Sequence, residues 1–406
     1  MSDRTTAPSR NTITIDTVNG DLELGRHTVV KGTGTPPTAK VYGTVRCEGH
    51  NTFECSLTAR NFEAENDVTI HGNLEIEDDV EIEDGRMEVY GTMTAGNVDV
   101  NDALYVSGDV KVENIDVGGA LRIDGKTEAA DIDVGGSFKA KGEVDAERVE
   151  VGGSLNIEAK VNIKELDVGG TATVNGGIIH DIDIGGSFES KGPLEFHRID
   201  VGGAVRLSDK SKGGEVNVGG SFRVEGSLEF DQIDVGGRVD ITGSGEGKEI
   251  EVGGRVEVGE SLKLRGNLEV GGRAEVKGEI TARNIDIGGA LSTKKGTAED
   301  RVEVGGAITT LEGLGARFVE IGNRGEIRGT VKADEVIIGK DARADIVIGK
   351  RVLLRKGAVV NSVYGDSITI EPHCRINSDL QYTNELKING SVSLAKQPQK
   401  VEKLPL

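Results

Sequence analysis

Apolar side chains recur along this chain in short alternating pairs, three pairs to each stretch of about 17 residues. Around Gly135 the pairs are Ile132 and Val134, Phe138 and Ala140, and Val144 and Ala146. Around Gly152 they are Val149 and Val151, Leu155 and Ile157, and Val161 and Ile163. A spacing of two is the period of a β-strand, whose alternate side chains share a face. A spacing of three or four between pairs breaks the alternation and demands a corner. Three strands and three corners per repeat predict an all-β fold: a single-stranded right-handed parallel β-helix, or β-solenoid, with triangular cross-section and about 17 residues per coil. The hand is that of parallel crossovers in general.

Glycine punctuates the repeat. A Val-Gly-Gly or Ile-Gly-Gly string places its first glycine at Gly118, Gly135, Gly152, Gly169, Gly185, Gly202, Gly219, Gly236, Gly253, Gly271, Gly288 and Gly305. A second series stands seven residues later, as at Gly125, Gly142 and Gly226. Both series read as corners, where positive φ excludes most residues with a Cβ. The step of 17 continues upstream through Leu104/Val106 and Met87/Val89, and downstream through Val319/Ile321 and Val336/Ile338. Coils are therefore expected from about residue 40 to about residue 395, roughly 21 in number, stacked at ~4.8 Å into a rod on the order of 100 Å long. The solenoid spans 12–395, with an irregular or capping coil over 12–39, glycine-doublet coils over 40–315 and a variant set over 316–395. Residues 1–11 and 396–406 lack the pattern and read as flexible tails.

Composition fits a column rather than a globule. The chain has 60 glycines, 3% aromatics and no tryptophan, and a narrow prism has no room for large rings. A net charge of −21 argues against nucleic-acid binding, which needs a basic surface. From Arg317 onward there are 15 Lys/Arg and 11 Asp/Glu, a local +4 that leaves −25 for the rest; Lys350, Arg351, Arg355 and Lys356 concentrate it into a candidate basic patch. An acidic residue stands two places before nearly every glycine pair, including Asp116, Asp133, Glu150 and Asp167. Stacking would align them in a ladder, screened by water, ions and basic neighbours, or bound by divalent cations or a cationic partner. Six scattered histidines share no repeat offset, and no phosphate-cradling loop or nucleophile elbow appears, so no enzyme, cofactor or small-molecule substrate is expected. Cys47, Cys55 and Cys374 read as reduced thiols of a cytoplasmic protein, and no apolar stretch approaches a membrane span.

The strings from Val336 to Arg343 (VIIGKDAR), Val352 to Val359 (VLLRKGAV) and Val363 to Ile370 (VYGDSITI) resemble the bactofilins, polymer-forming cytoskeletal proteins. The likeness is strongest over about 316–395 and extends along the chain as coil length and triangular pattern. It implies a right-handed β-helix that assembles end to end without nucleotide into filaments scaffolding other proteins in the cytoplasm, with a role in cell shape. This chain departs from the family in its long glycine-punctuated array and its polar start, so direct membrane binding is not expected. Partners would be further copies of itself, shorter bactofilin relatives or other proteins. An uncapped last coil presents strand edges and an open core, which makes Leu380, Tyr382, Leu386, Ile388, Val392 and Leu394 the candidate self-assembly residues. The alternatives are a capped monomeric adaptor, closed by the tail and by the segment from Gly32 to Thr38, and a surface- or polysaccharide-binding β-helix. A hexapeptide-repeat acyltransferase would instead keep coils of 18 and a functional histidine.

Overall fold

The computed structural model describes residues 4 to 404. Among them the chain is all β with no helix, a parallel β-solenoid of about 23 coils with about 17 residues per coil. Between the first and last coils each strand pairs in parallel with its equivalents one coil before and one coil after. Asn114–Val117, for example, lies between Asn97–Val100 and the Asp131 to Val134 stretch, partnered residue for residue. The coils fall into two compact units, Met1–Gly203 and Ala204–Leu406.

The inward positions are those the alternation marks. Ile132, Val134, Phe138, Ala140, Val144 and Ala146 are all buried, none more than 6% exposed. Each column continues through successive coils, as Val117, Val134, Val151 and Val168 show. Where small residues replace an inward pair, a neighbour compensates. Gly245 and Gly247 leave space that the Phe230 ring fills, and a Cβ on Gly247 would come within 2.3 Å of that ring.

Three expectations need correction. Regular coils begin at the first described residues rather than near residue 40, since Arg4–Ala7 pairs with Asp21–Leu24 and Thr12–Ile15 with Val29–Gly32. Patterning alone missed these coils because one of them has 23 residues, Leu22 pairing with Val45. The surplus is an excursion between Gly32 and Thr38 that closes on itself through Thr33 and Thr38, so the segment is a side loop and not a cap. At the other end Gln399–Lys400 pairs with Gln381 and Tyr382, so part of the expected tail is structured. Residues 1–3 and 405–406 of the two expected tails lie outside the described residues.

The third correction concerns the doublet glycines, which do not have positive φ. Their requirement is steric. A Cβ on Gly152 would stand 2.4 Å from the carbonyl oxygen of Gly135, and one on Gly135 2.3 Å from that of Gly118. Each coil's glycine carbonyl occupies the space a side chain of the next coil would need, so the whole column must be bare. At the second corner Gly226 takes φ +120°, but Gly125 and Gly142 do not have the expected positive φ, and a Cβ on them would meet the carbonyl oxygens of Gly108 and Gly125 at 2.3 and 2.1 Å.

Candidate functional site

The last coil is built by Leu380–Ile388 and Ser393–Leu394, after which Gln399–Lys400 stacks over Gln381 and Tyr382. Leu386 and Ile388 stand in register with Ile368 and Ile370, and Leu394 with Ile376. In the coil beneath, those three partners are at most 1% exposed. In the last coil Leu386 and Leu394 are half-buried and Ile388 is 40% exposed. Leu380 is buried, while Tyr382 and Val392 are half-buried. The columns of Leu386, Ile388 and Leu394, sealed one coil earlier, are therefore open here, because among the described residues no strand is stacked on them. Among the described residues the outer edge of the stretch from Glu385 to Ile388 has no strand partner, and its amides and carbonyls remain available. The first coil is more closed: Ala7, Ile15 and Val18 are only 6–7% exposed, although Ile13, in register with buried Val30, is half-buried.

The four cations of the expected basic patch are in place, and three of them are held in ion pairs. Lys350 pairs with Asp334 and Arg351 with Glu335, both at 2.7 Å, and Arg355 reaches Glu320 at 3.6 Å. The backbone N–H of Lys356 donates to Glu371 Oε2 at 2.8 Å. Three of the four positive charges are thus neutralised locally, in strand-to-strand pairs that the charge count along the chain does not reveal.

The acidic ladder is present and longer than the glycine pairs advertise. In the first unit Glu63, Glu81, Asp99, Asp116, Asp133, Glu150, Asp167, Asp183 and Asp200 stand in continuous register. Spaced at ~4.8 Å, adjacent unit charges repel by ~0.9 kcal/mol in bulk water before screening by salt. The neighbouring outward column adds Asp131, Glu165 and Asp181, relieved by Arg148 and Arg198. These arginines pair with Glu150 at 2.9 Å and Asp200 at 3.1 Å. On the ladder's other side the bare glycine corner supplies no charge. Partial burial, and then the neighbouring carboxylates, push Asp133 and Asp167 above the usual carboxylate range. Among the described residues no group of three or more His, Cys, Asp or Glu side chains is arranged to hold a metal ion. The ladder is a line of charges rather than a chelating cup.

In the second unit the ladder runs on through Asp234, Glu251, Glu269, Asp286, Glu303 and Glu320, and in a separate column sequence reasoning missed a feature. Arg238, Arg255 and Arg273 stack just after the glycine corner, beside a column of Asp240, Glu257 and Glu275. Arg238 reaches Asp240 at 3.2 Å and Glu257 at 2.6 Å; Arg255 contacts Glu257 and Glu275. The step of 17 or 18 between the arginines was the available signal.

The cysteines are buried and unpaired, and burial pushes the Cys47 thiol well above its ordinary value. A groove of about 570 Å³ beside the first coils is lined by Glu23, Arg46, Glu63 and Glu81, with Arg46 held by Glu63 at 2.9 Å and Asp21 at 3.3 Å. Among the described residues no helix is long and apolar enough to cross a membrane. Comparison of the chain with protein-family models, with curated proteins and with solved structures finds no match.

Proposed function

We propose that this chain is a non-enzymatic scaffold protein of bactofilin-like type, which self-associates through its last coil without nucleotide. The observation that carries the reading is the change within single columns, from sealed Ile368, Ile370 and Ile376 to open Leu386, Ile388 and Leu394. An open apolar end with an unpaired strand edge is what a solenoid offers to a second copy, which buries the side chains and completes the backbone hydrogen bonds in one contact. The resemblance of the coils from 316 to 395 to bactofilins points the same way. A cytoplasmic location, and shorter relatives or other proteins as additional partners, belong to this reading.

Sedimentation velocity and negative-stain electron microscopy of the wild type and of Leu386→Lys test it. The wild type is expected to form assemblies that grow with protein concentration, and the variant to lose them while keeping its circular dichroism and melting cooperativity. Single particles of the wild type at every concentration and salt would overturn the proposal. They would favour a capped adaptor, the second reading, for which the pairing of Gln399–Lys400 over Gln381 and Tyr382 is the specific support.

A further inference from the structure

The carboxylate face of the first unit has an unusual combination of properties. Its charges are attached to strands paired on both sides, so they cannot move apart along the coil axis without breaking backbone hydrogen bonds. The glycine corner beside them cannot carry a cation, because a Cβ there meets the preceding carbonyl oxygen at 2.2–2.4 Å, as at Gly118 and Gly152. The column on the other flank brings Asp131, Glu165 and Asp181 as well as Arg148 and Arg198. Within the coils around Asp116 to Asp183, only Arg148 forms an ion pair with a ladder carboxylate among the described residues. Arg148 offsets part of the repulsion, and the remainder falls to mobile counter-ions.

We propose that this face makes the coils between Asn97 and Val201 an ionic-strength gate: their ladder strands open locally when counter-ions are scarce and close when salt is supplied. The device is independent of the assembly proposed above, since it lies on another surface and needs no second copy. It follows from spacing. Between about 0.02 M and about 0.5 M salt the screening length falls from about 20 Å to about 4 Å, from several ladder steps to less than one. Repulsion summed along many carboxylates at the low end is then cut to nearest neighbours at the high end. Local opening, rather than global unfolding, is the expected response because a solenoid coil contacts only its neighbours.

Hydrogen exchange of the full-length protein across that range of NaCl tests the gate. Amides of the ladder strands around Asp116, Asp133 and Asp167 are expected to gain about tenfold in protection from low to high salt. Amides of the adjoining face, Ser137–Ala140 and Ser154–Ile157, are expected to gain much less. In a variant carrying Asp116→Asn, Asp133→Asn and Asp167→Asn the ladder-specific gain should disappear. A control with the same charge change off the ladder, Glu77→Gln, Glu113→Gln and Glu143→Gln, should keep it. Equal salt responses of the two variants would overturn the proposal, since net charge alone would then explain the effect. So would a uniform response of all faces in the wild type. Asp133→Asn alone gives a smaller loss of the same sign and serves if the triple variant expresses poorly.

Discussion

The glycine-doublet coils and the last coils of the chain turn the same corner by opposite means. In the doublet coils two bare residues make the turn without positive φ, and no side chain fits because the preceding carbonyl is in the way. Downstream, Gly322-Asn323 is followed by Gly339-Lys340, Arg355-Lys356 and Glu371-Pro372, and a residue just beyond takes positive φ instead: Arg324, Asp341, Gly357 or His373. The second solution costs about 1–2 kcal/mol per non-glycine residue in that conformation, but it frees the corner to carry charge. The outward column beside the corner changes with it, from carboxylates to Glu320, Ile337, Leu353, Thr369 and Lys387 in register. One backbone position thus carries carboxylates through the glycine-doublet coils of both units and is apolar or paired near the end of the second. The corner determines which charges its neighbours can find.

The sharpest way to break this comparison is to place a side chain at each kind of corner. Gly153→Val puts its Cβ 2.4 Å from the Gly136 carbonyl oxygen, a clash with backbone that only a displaced coil can relieve. It should destabilise by about 3 kcal/mol or more, read as a lowered midpoint in urea unfolding. Lys356→Val, at the equivalent corner downstream, should change the midpoint by about 0.5 kcal/mol or less, because a side chain already projects there. Similar losses at both positions would show that the two corners do not differ in the way their geometry indicates.

Much of this was legible in the residues themselves. The alternation of Ile132 with Val134 and Phe138 with Ala140 fixes strands and inward faces because period-two patterning is a local property. The acidic ladder was legible for the same reason, since a constant coil length turns sequence offset into stacking. What lay beyond patterning was anything that depends on a neighbour's backbone. Glycine at Gly135 is compatible with either positive φ or a close carbonyl, and only the stacked coil decides between them. The insertion between Gly32 and Thr38 changed the offset for one coil and hid the coils before it. The charge count from Arg317 onward marks a basic patch but not its pairing: Lys350 and Arg351 each face a carboxylate one coil away. At the candidate assembly end, the identity of the last inward residues was readable, but their exposure was not.

A smaller effect sharpens the electrostatic half of the comparison. Asp133 and Asp167 have folded values raised above the ordinary carboxylate range, so the folded state holds their protons more tightly than the unfolded chain. Stability contributed by these groups falls as pH rises through that window and is regained on acidification. Asp133→Asn combined with Asp167→Asn should therefore raise the thermal midpoint near pH 7, by the equivalent of about 0.5–1 kcal/mol after solvent screening of these exposed groups. The advantage should shrink as pH is lowered toward 4, where the wild-type carboxylates take up protons. A gain that is constant with pH would point to packing rather than charge.

The opposite slope is expected where carboxylates have found cations. Lys141 at 2.8 Å, and with it Arg122 at 3.2 Å, hold Asp124 below the ordinary range; Lys396 at 2.8 Å does the same for Asp379, and Lys350 for Asp334. A depressed carboxylate stabilises the fold above its unfolded value, and that contribution is lost as pH falls through the ordinary range toward the folded value. Asp124→Asn should accordingly lower the midpoint at pH 7 by about 0.5 kcal/mol, and the difference from wild type should vanish in acid rather than grow. Asp379→Asn should follow the same sign with a smaller amplitude, since its pair with Lys396 is largely solvated. The pair of experiments separates the two regimes of one fold. Acid relieves the ladder coils and weakens the paired ones, so the wild-type melting curve near pH 4 should reflect a gain and a loss that the single-site variants resolve. If Asp124→Asn and Asp133→Asn respond to pH with the same sign, the division between repelling and paired columns is wrong.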